Sequence, residues 1–351
     1  MIEGLSTHLQ TWEDQGWIGV QNAPFFQRAA YLLRRRTATT TFQWVKGHDG
    51  VEGNEQCDRL AKEGAAKPAP DTLDLNIPNT FNVQGAKLAT LTQAKAYRGI
   101  LERKRIPTRQ STSNNIQLAR EAIERYSGHD ETDATIWKGM RNTSICPKIR
   151  QFLYKTTHEI FMIGQYWSRI QAVQECQSCT TCGSIESMSH ILTQCQSSPT
   201  RIIWDLARTT WPHEDIPWPG IDLGTILGCG SLAVPQLIMD QGQHRRKAHL
   251  RGASRLLQIL LSESAYLVWT MRCERVIHGK IHNQQEIRSK WLHAINSRLT
   301  NDKITVSKIK RDKGFTRLVV NTWEKVLTKE RDLPNNWISM REVLVGSRPR
   351  P

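Results

Sequence analysis

Between Cys176 and Cys195 the chain reads CQSCTTCGSIESMSHILTQC, five metal-ligating side chains in twenty residues. Zn²⁺ in structural sites takes four thiolate or imidazole ligands in a tetrahedral array. The best set is Cys179, Cys182, His190 and Cys195, spaced C-x2-C-x7-H-x4-C, and Cys176 is a fifth candidate that could replace Cys179. Gly183 after the Cys pair permits a tight knuckle. Met188 to Gln194 reads as a short helix that delivers His190 and Cys195. Four protein ligands leave no open coordination position, so the expected zinc is structural. Such an ion would substitute for a small core and link metal binding to folding. Helices around Trp137 and from Pro147 to Ala172 must carry the chain into the knuckle, with Arg201 to Trp211 leading out of it. Eight Cys, half of them clustered, suit a metal site in a reducing compartment better than a disulfide framework.

A second stretch, Thr40 to Ala65, reads TTFQWVKGHDGVEGNEQCDRLAKEGA. Thr40 to Val45 is rich in β-branched and aromatic residues and predicts a strand. Gly47, Gly50 and Gly53 make the following stretch a flexible loop. Asn54 to Ala65 predicts a helix with Leu60, Ala61 and Ala65 on one face. Upstream, Ile2, Leu5, Leu9 and Trp12 lie at helical spacing. Phe26, Ala29, Ala30 and Leu33 form a second amphipathic helix ending in Arg34, Arg35 and Arg36. Helix, basic helix, strand, Gly-rich His loop, helix: over about residues 1–66 this order resembles the second half of a type-1 ribonuclease H domain.

The resemblance implies a family activity, cleavage of the RNA strand of an RNA–DNA hybrid. It makes His48 the loop residue that takes part in proton transfer or product release, and Asp58 the fourth metal-binding carboxylate. Asn54 and Glu55 match the polar pair at the helix start. Mg²⁺ prefers hard oxygen ligands, and two ions about 3.5–4 Å apart clamp the attacking and leaving oxygens. The family's first three carboxylates lie on its first strand, first helix and fourth strand, and all three are expected to fall before Met1. One carboxylate cannot hold two Mg²⁺ ions. Mg²⁺ is therefore expected only where the site is complete, and enzymatic activity stays open. Arg34, Arg35, Arg36 and Lys46 are the candidate nucleic-acid contacts.

The knuckle carries a resemblance of its own. Cys179, Cys182, Gly183, Glu186, Ser187, His190, Ile191, Leu192 and Cys195 are similar to the zinc-binding domain at the C-terminal end of non-LTR retrotransposon reverse transcriptases. Trp137, Ile149, Phe152, Leu153, Phe161, Trp167 and Ile170 fit its aromatic-rich lead-in, so the likeness covers about residues 135–210. The two resemblances in this order look like the 3′ end of a retroelement polyprotein, an arrangement found in fungal retroelements. The expected fold is mainly α, with a truncated α/β ribonuclease H-like N-terminal part and a small CCHC zinc knuckle.

The formal net charge is +15 over 351 residues, with 38% hydrophobic and 23% charged content. A globular chain with a polyanionic partner is expected, through counterion release from phosphates of RNA–DNA hybrid, RNA or DNA. Basic clusters recur at Arg103 to Arg105, Arg245 to Lys247 and Lys308 to Lys313. The start, MIEGLSTHLQ, has no secretory pattern. The best apolar run, Leu256 to Leu261, is broken by Ser262-Glu263-Ser264 and is far short of a membrane span. An intracellular place follows, nucleus or cytoplasm undivided. His158-Glu159 lacks the second His of a zincin, and there is no Walker loop, nucleophile elbow or dinucleotide fingerprint.

Four regions are expected: 1–66, ribonuclease H-like; 67–82, a Pro-rich linker; 83–210, helical with the zinc module; and 222–345, a helical C-terminal domain. Ser111 to Asn115 reads as a polar turn. Leu250 to Ile277 has more apolar residues than one stripe needs and predicts a buried central helix. Three functions are compatible: a nucleic-acid-binding remnant, a hybrid ribonuclease completed by upstream sequence, or a zinc-stabilised interaction protein.

Overall fold

A computed structural model describes residues 3–46, 50–69, 71–81, 85–104, 108–235, 243–309, 312–334, 336–340 and 342–346, with backbone only for 243–247. It divides into two units, Met1–Pro107 and Thr108–Pro351. The described residues are mainly helical and contain no sheet; strand-like pairing is limited to the bridges Ser178–Ile185 and Leu327–Val345. None of the described helices is long and apolar enough to cross a membrane.

The first unit holds α1 (Leu9–Asp14), α2 (Ala23–Arg35), α3 (Glu52–Ala65) and α4 (Gln93–Lys104). Pro24 sits in the first turn of α2, where its missing N–H costs nothing, and Arg34 and Arg35 occupy the last turn, where cations suit the helix dipole. Trp12 packs edge-on against Phe26 at 4.8 Å, and Ala30 is buried. The stretch expected to be a linker is held to α2: Arg28 pairs with Asp74 at 3.1 Å and Tyr31 meets Phe81 at 5.1 Å.

The expected strand Thr40 to Val45 is not formed, and the α/β character of residues 1–66 is absent from the described residues. Residues 41–46 are irregular, and Trp44 is 83% exposed. A strand is stabilised by its pairing, and no described segment pairs with this one. Helix α3 forms as predicted but buries none of its residues.

The second unit holds α5 (Gln110–Ser127), α6 (Asp133–Gly139), α7 (Pro147–Thr157), α8 (Gln165–Ser168), α9 (Ser198–Thr210), α10 (Leu223–Gly228), α11 (Gln243–His278), α12 (Gln284–Lys308) and α13 (Lys313–Trp323). One core cluster runs from Ile116 to Val345. Helix α11 is its axis: Leu256, Leu257, Ile259, Leu260 and Leu261 are all fully buried, so it is apolar all round over this stretch. Helix α13 crosses it closely at Gly252, where a Cβ would lie 2.5 Å from the Asn321 backbone.

The Pro-rich stretch 211–222, between the expected regions 83–210 and 222–345, lies on this core. Trp211 and Trp218 pack against it, and the Trp211 indole donates to Ile216 O at 2.9 Å. The expected polar turn at Ser111 to Asn115 is the first part of α5. Thr112 hydrogen-bonds with His158 Nδ1 at 2.9 Å, and Asn115 donates to Thr157 O at 3.1 Å. Residues that read as turn formers here satisfy the end of α7.

Polar groups inside this core are mostly paired. Glu263 is one exception, since its recorded partner, Arg298 Nε, is 3.6 Å away. Burial pushes its carboxyl up to about 7, against the pull of Arg298 and Lys148. Between the unfolded value near 4.5 and 7 the folded chain binds the extra proton, so stability falls as pH rises through that window. Glu263→Gln cannot ionise. We expect it to match the wild type at pH 5 and to exceed it at pH 8 by on the order of 2–3 kcal/mol, measured by urea unfolding at both pH values. Equal stabilities at pH 8 would contradict this.

Candidate functional site

The sequence after α8 makes the knuckle. Cys179 N–H donates to Ser184 O and Gly183 N–H to Cys179 O, both at 2.8 Å, and Glu186 N–H donates to Gln177 O at 2.9 Å. The turn needs φ +75° at residue 183, which glycine adopts without strain. Gly164 is equally constrained: its φ is +51°, and a Cβ there would lie 1.8 Å from Glu186 O. A π-helical turn, His190–Gln194, follows, with the His190 N–H donating to Ser187 Oγ at 3.0 Å. Its far side is core: Ile191 and Leu192 are buried, and the Trp204 indole of α9 donates to Leu192 O at 2.7 Å.

This brings together the four predicted ligands. One ligand atom from each of Cys179, Cys182, His190 and Cys195 lies within 4.8 Å of every other. Cys179 Sγ and Cys195 Sγ are 3.7 Å apart, and Cys182 Sγ and His190 Nε2 are 3.4 Å apart. Tetrahedral zinc with bonds of ~2.3 Å to sulfur and ~2.0 Å to nitrogen has S···S edges of about 3.8 Å and S···N edges of about 3.5 Å. The side chains therefore fit such an ion. Cys176, the alternative ligand, is exposed and outside this group. Among the described residues this is the one group of three or more His, Cys, Asp or Glu side chains placed to hold a metal.

Cys179 has the electrostatics of a ligand. Burial opposes its ionisation, but hydrogen bonds from His190, the backbone at Thr181 and Cys182, and Cys195 outweigh it and bring the thiol to about 6. Burial raises Cys195, and the shared contact with Cys179 adds to that. Two arginines of α11 stand against the knuckle. Arg272 pairs through Nε and a terminal nitrogen with the buried Glu186, and an Arg275 terminal nitrogen lies 3.9 Å from Cys179 Sγ. Sequence reasoning missed both. The one signal was a pair of cations inside a helix otherwise read as apolar.

The described residues of 1–66 present no comparable cluster. His48 lies outside the described residues. Asp58 is half-buried on α3, one turn before Lys62. Of the candidate nucleic-acid contacts, Arg34 is engaged: it makes a bidentate pair with Glu13 at 2.6 and 2.9 Å. Arg35, Arg36 and Lys46 are exposed.

The class of this segment follows from comparison. Residues 1–66 match the RNase H family model, and curated relatives support an RNase H-type segment there. Ribonuclease H of Serratia proteamaculans (strain 568) is 35% identical over 74 residues, 20% of this chain and 46% of that protein. Ribonuclease H of Yersinia pestis (strain Pestoides F) is 33% identical over 79 residues, 21% of this chain and 50% of that protein. The chain spans about half the length of the curated relatives it matches. No solved structure matches it.

Proposed function

We propose that the chain is a retroelement-derived nucleic-acid-binding protein, with an RNase H-type segment in residues 1–66 and a helical body stapled by structural zinc. The match of residues 1–66 to the RNase H family carries this reading. The net charge of +15 supports a polyanionic partner, and the relatives are ribonucleases H by name. The zinc assignment rests on the ligand-atom spacing of the Cys179, Cys182, His190 and Cys195 group. The reverse-transcriptase-like zinc module and the retroelement origin rest on the motif order.

Asp58 and His48 are the family's site positions. Asp58 supplies one of the family's four metal-binding carboxylates, and one carboxylate does not make a two-Mg²⁺ site, so we assign no cleavage step to these 351 residues. The expected behaviour is binding of an RNA–DNA hybrid that weakens steeply with salt. Replacing Arg35 and Arg36 together by Ala should weaken binding and reduce the slope of log affinity against log salt by about 2. Fluorescence anisotropy with a labelled hybrid checks this. No binding at low salt would leave a zinc-stabilised interaction protein.

One observation favours a second reading, a hybrid ribonuclease completed by upstream sequence. The irregular segment 41–46 and α3 are uncovered: Trp44 is 83% and Leu60 60% exposed. Fusing the upstream half of a ribonuclease H relative should then yield cleavage that Asp58→Asn abolishes. A folded fusion that leaves the hybrid intact counts against it.

A further inference from the structure

Arg272 and Arg275 lie one turn apart on α11 and face the same knuckle, yet they are held differently. Arg272 is satisfied, paired with Glu186 and seated 5.6 Å over the Trp269 ring. Arg275 is not. Its Nε is buried with no hydrogen-bond partner. Among the described residues no carboxylate lies within ion-pair distance of it, and its recorded contact is the Cys179 sulfur at 3.9 Å. A partly buried cation without an anion is costly. Here it stands beside the Cys/His cluster, which would carry an anion's charge once a divalent ion is bound. Three thiolates, a neutral imidazole and a divalent ion together carry about one net negative charge.

We propose that Arg275 is the counter-cation of the metal cluster. Its terminal N–H donates to Cys179 Sγ, which fixes that thiolate in ligand position and offsets the cluster's excess charge. The contact joins positions 96 residues apart, so the central core helix supplies an outer partner of the metal. Arg272 and Glu186 hold the helix and knuckle in register beside it. Partners of this kind typically change metal affinity 10–100-fold.

This inference rests on the zinc reading above, and the test separates the two. The full chain is stripped of metal and titrated with Zn²⁺ against a chromophoric chelator, then reconstituted with Co²⁺ for its thiolate-to-metal absorption band. Arg275→Ala should bind Zn²⁺ about 10–100-fold more weakly and shift the Co²⁺ band. Arg275→Lys, which keeps the charge, should recover much of the affinity. Arg288→Ala removes an exposed charge on α12 and should change neither readout. Arg275→Ala within threefold of the wild type, or Arg288→Ala losing as much, overturns the proposal and leaves the zinc reading intact. A wild-type chain that takes up neither Zn²⁺ nor Co²⁺ overturns both.

Discussion

If the Cys179, Cys182, His190 and Cys195 group holds zinc as proposed, removing it should lower the melting temperature of the 108–351 unit by roughly 8–16 °C. At free metal near 1,000 times Kd, binding to the folded state alone contributes about 4 kcal/mol. A domain of this size shifts by about 2–4 °C per kcal/mol. The effect reaches the whole unit because the knuckle is not a separate bead. Met188, Ile191 and Leu192 belong to the same core cluster as α11 and α12. Releasing the ion leaves Cys179 and Cys195 buried with their sulfurs 3.7 Å apart. Differential scanning fluorimetry with and without a zinc chelator measures the shift, and Cys195→Ser should reproduce it. An unchanged melting curve in chelator would mean that the cluster holds no metal.

Asp302→Ala should cost about 3–5 kcal/mol, the range for removing one partner of a buried ion pair. Arg255 and Asp302 are both nearly fully buried and joined by two bonds of 2.7 Å. The same carboxylate accepts from the Trp323 indole at 2.8 Å, so one side chain ties α11, α12 and α13 together. Its loss strands a guanidinium and an indole N–H in the core. Replacing Arg255 by Met and Asp302 by Leu together removes both charges and should cost far less than the single change. Urea unfolding at pH 7 decides the matter. A single-variant loss below about 1 kcal/mol, well under the range for a buried pair, would show that water or a neighbouring group takes over the pairing.

What the sequence made legible was local. The four ligands sit within seventeen residues, so their chemistry and spacing were visible without a fold. Helix α11 announced itself by apolar residues on every face. The strand at Thr40 to Val45 was misread because strand propensity describes a segment that fits a sheet, and the described residues offer none. Ser111 to Asn115 was misread because Ser, Thr and Asn also satisfy a neighbouring helix end, a role that depends on where α7 lies. Three prolines in 211–222 read as a break between regions, while the aromatic rings of Trp211 and Trp218 in the same stretch pack on the core. Arg275 was invisible for a simpler reason: its partner is 96 residues away.

The most direct test of the central claim is incubation of the purified 351-residue chain with a labelled RNA–DNA hybrid and Mg²⁺, resolved on a denaturing gel beside a binding measurement. We predict a bound and intact hybrid, with the Asp58→Asn variant indistinguishable from the wild type. RNA-strand cleavage that disappears in Asp58→Asn would contradict the account, because it would require a two-metal site built round Asp58.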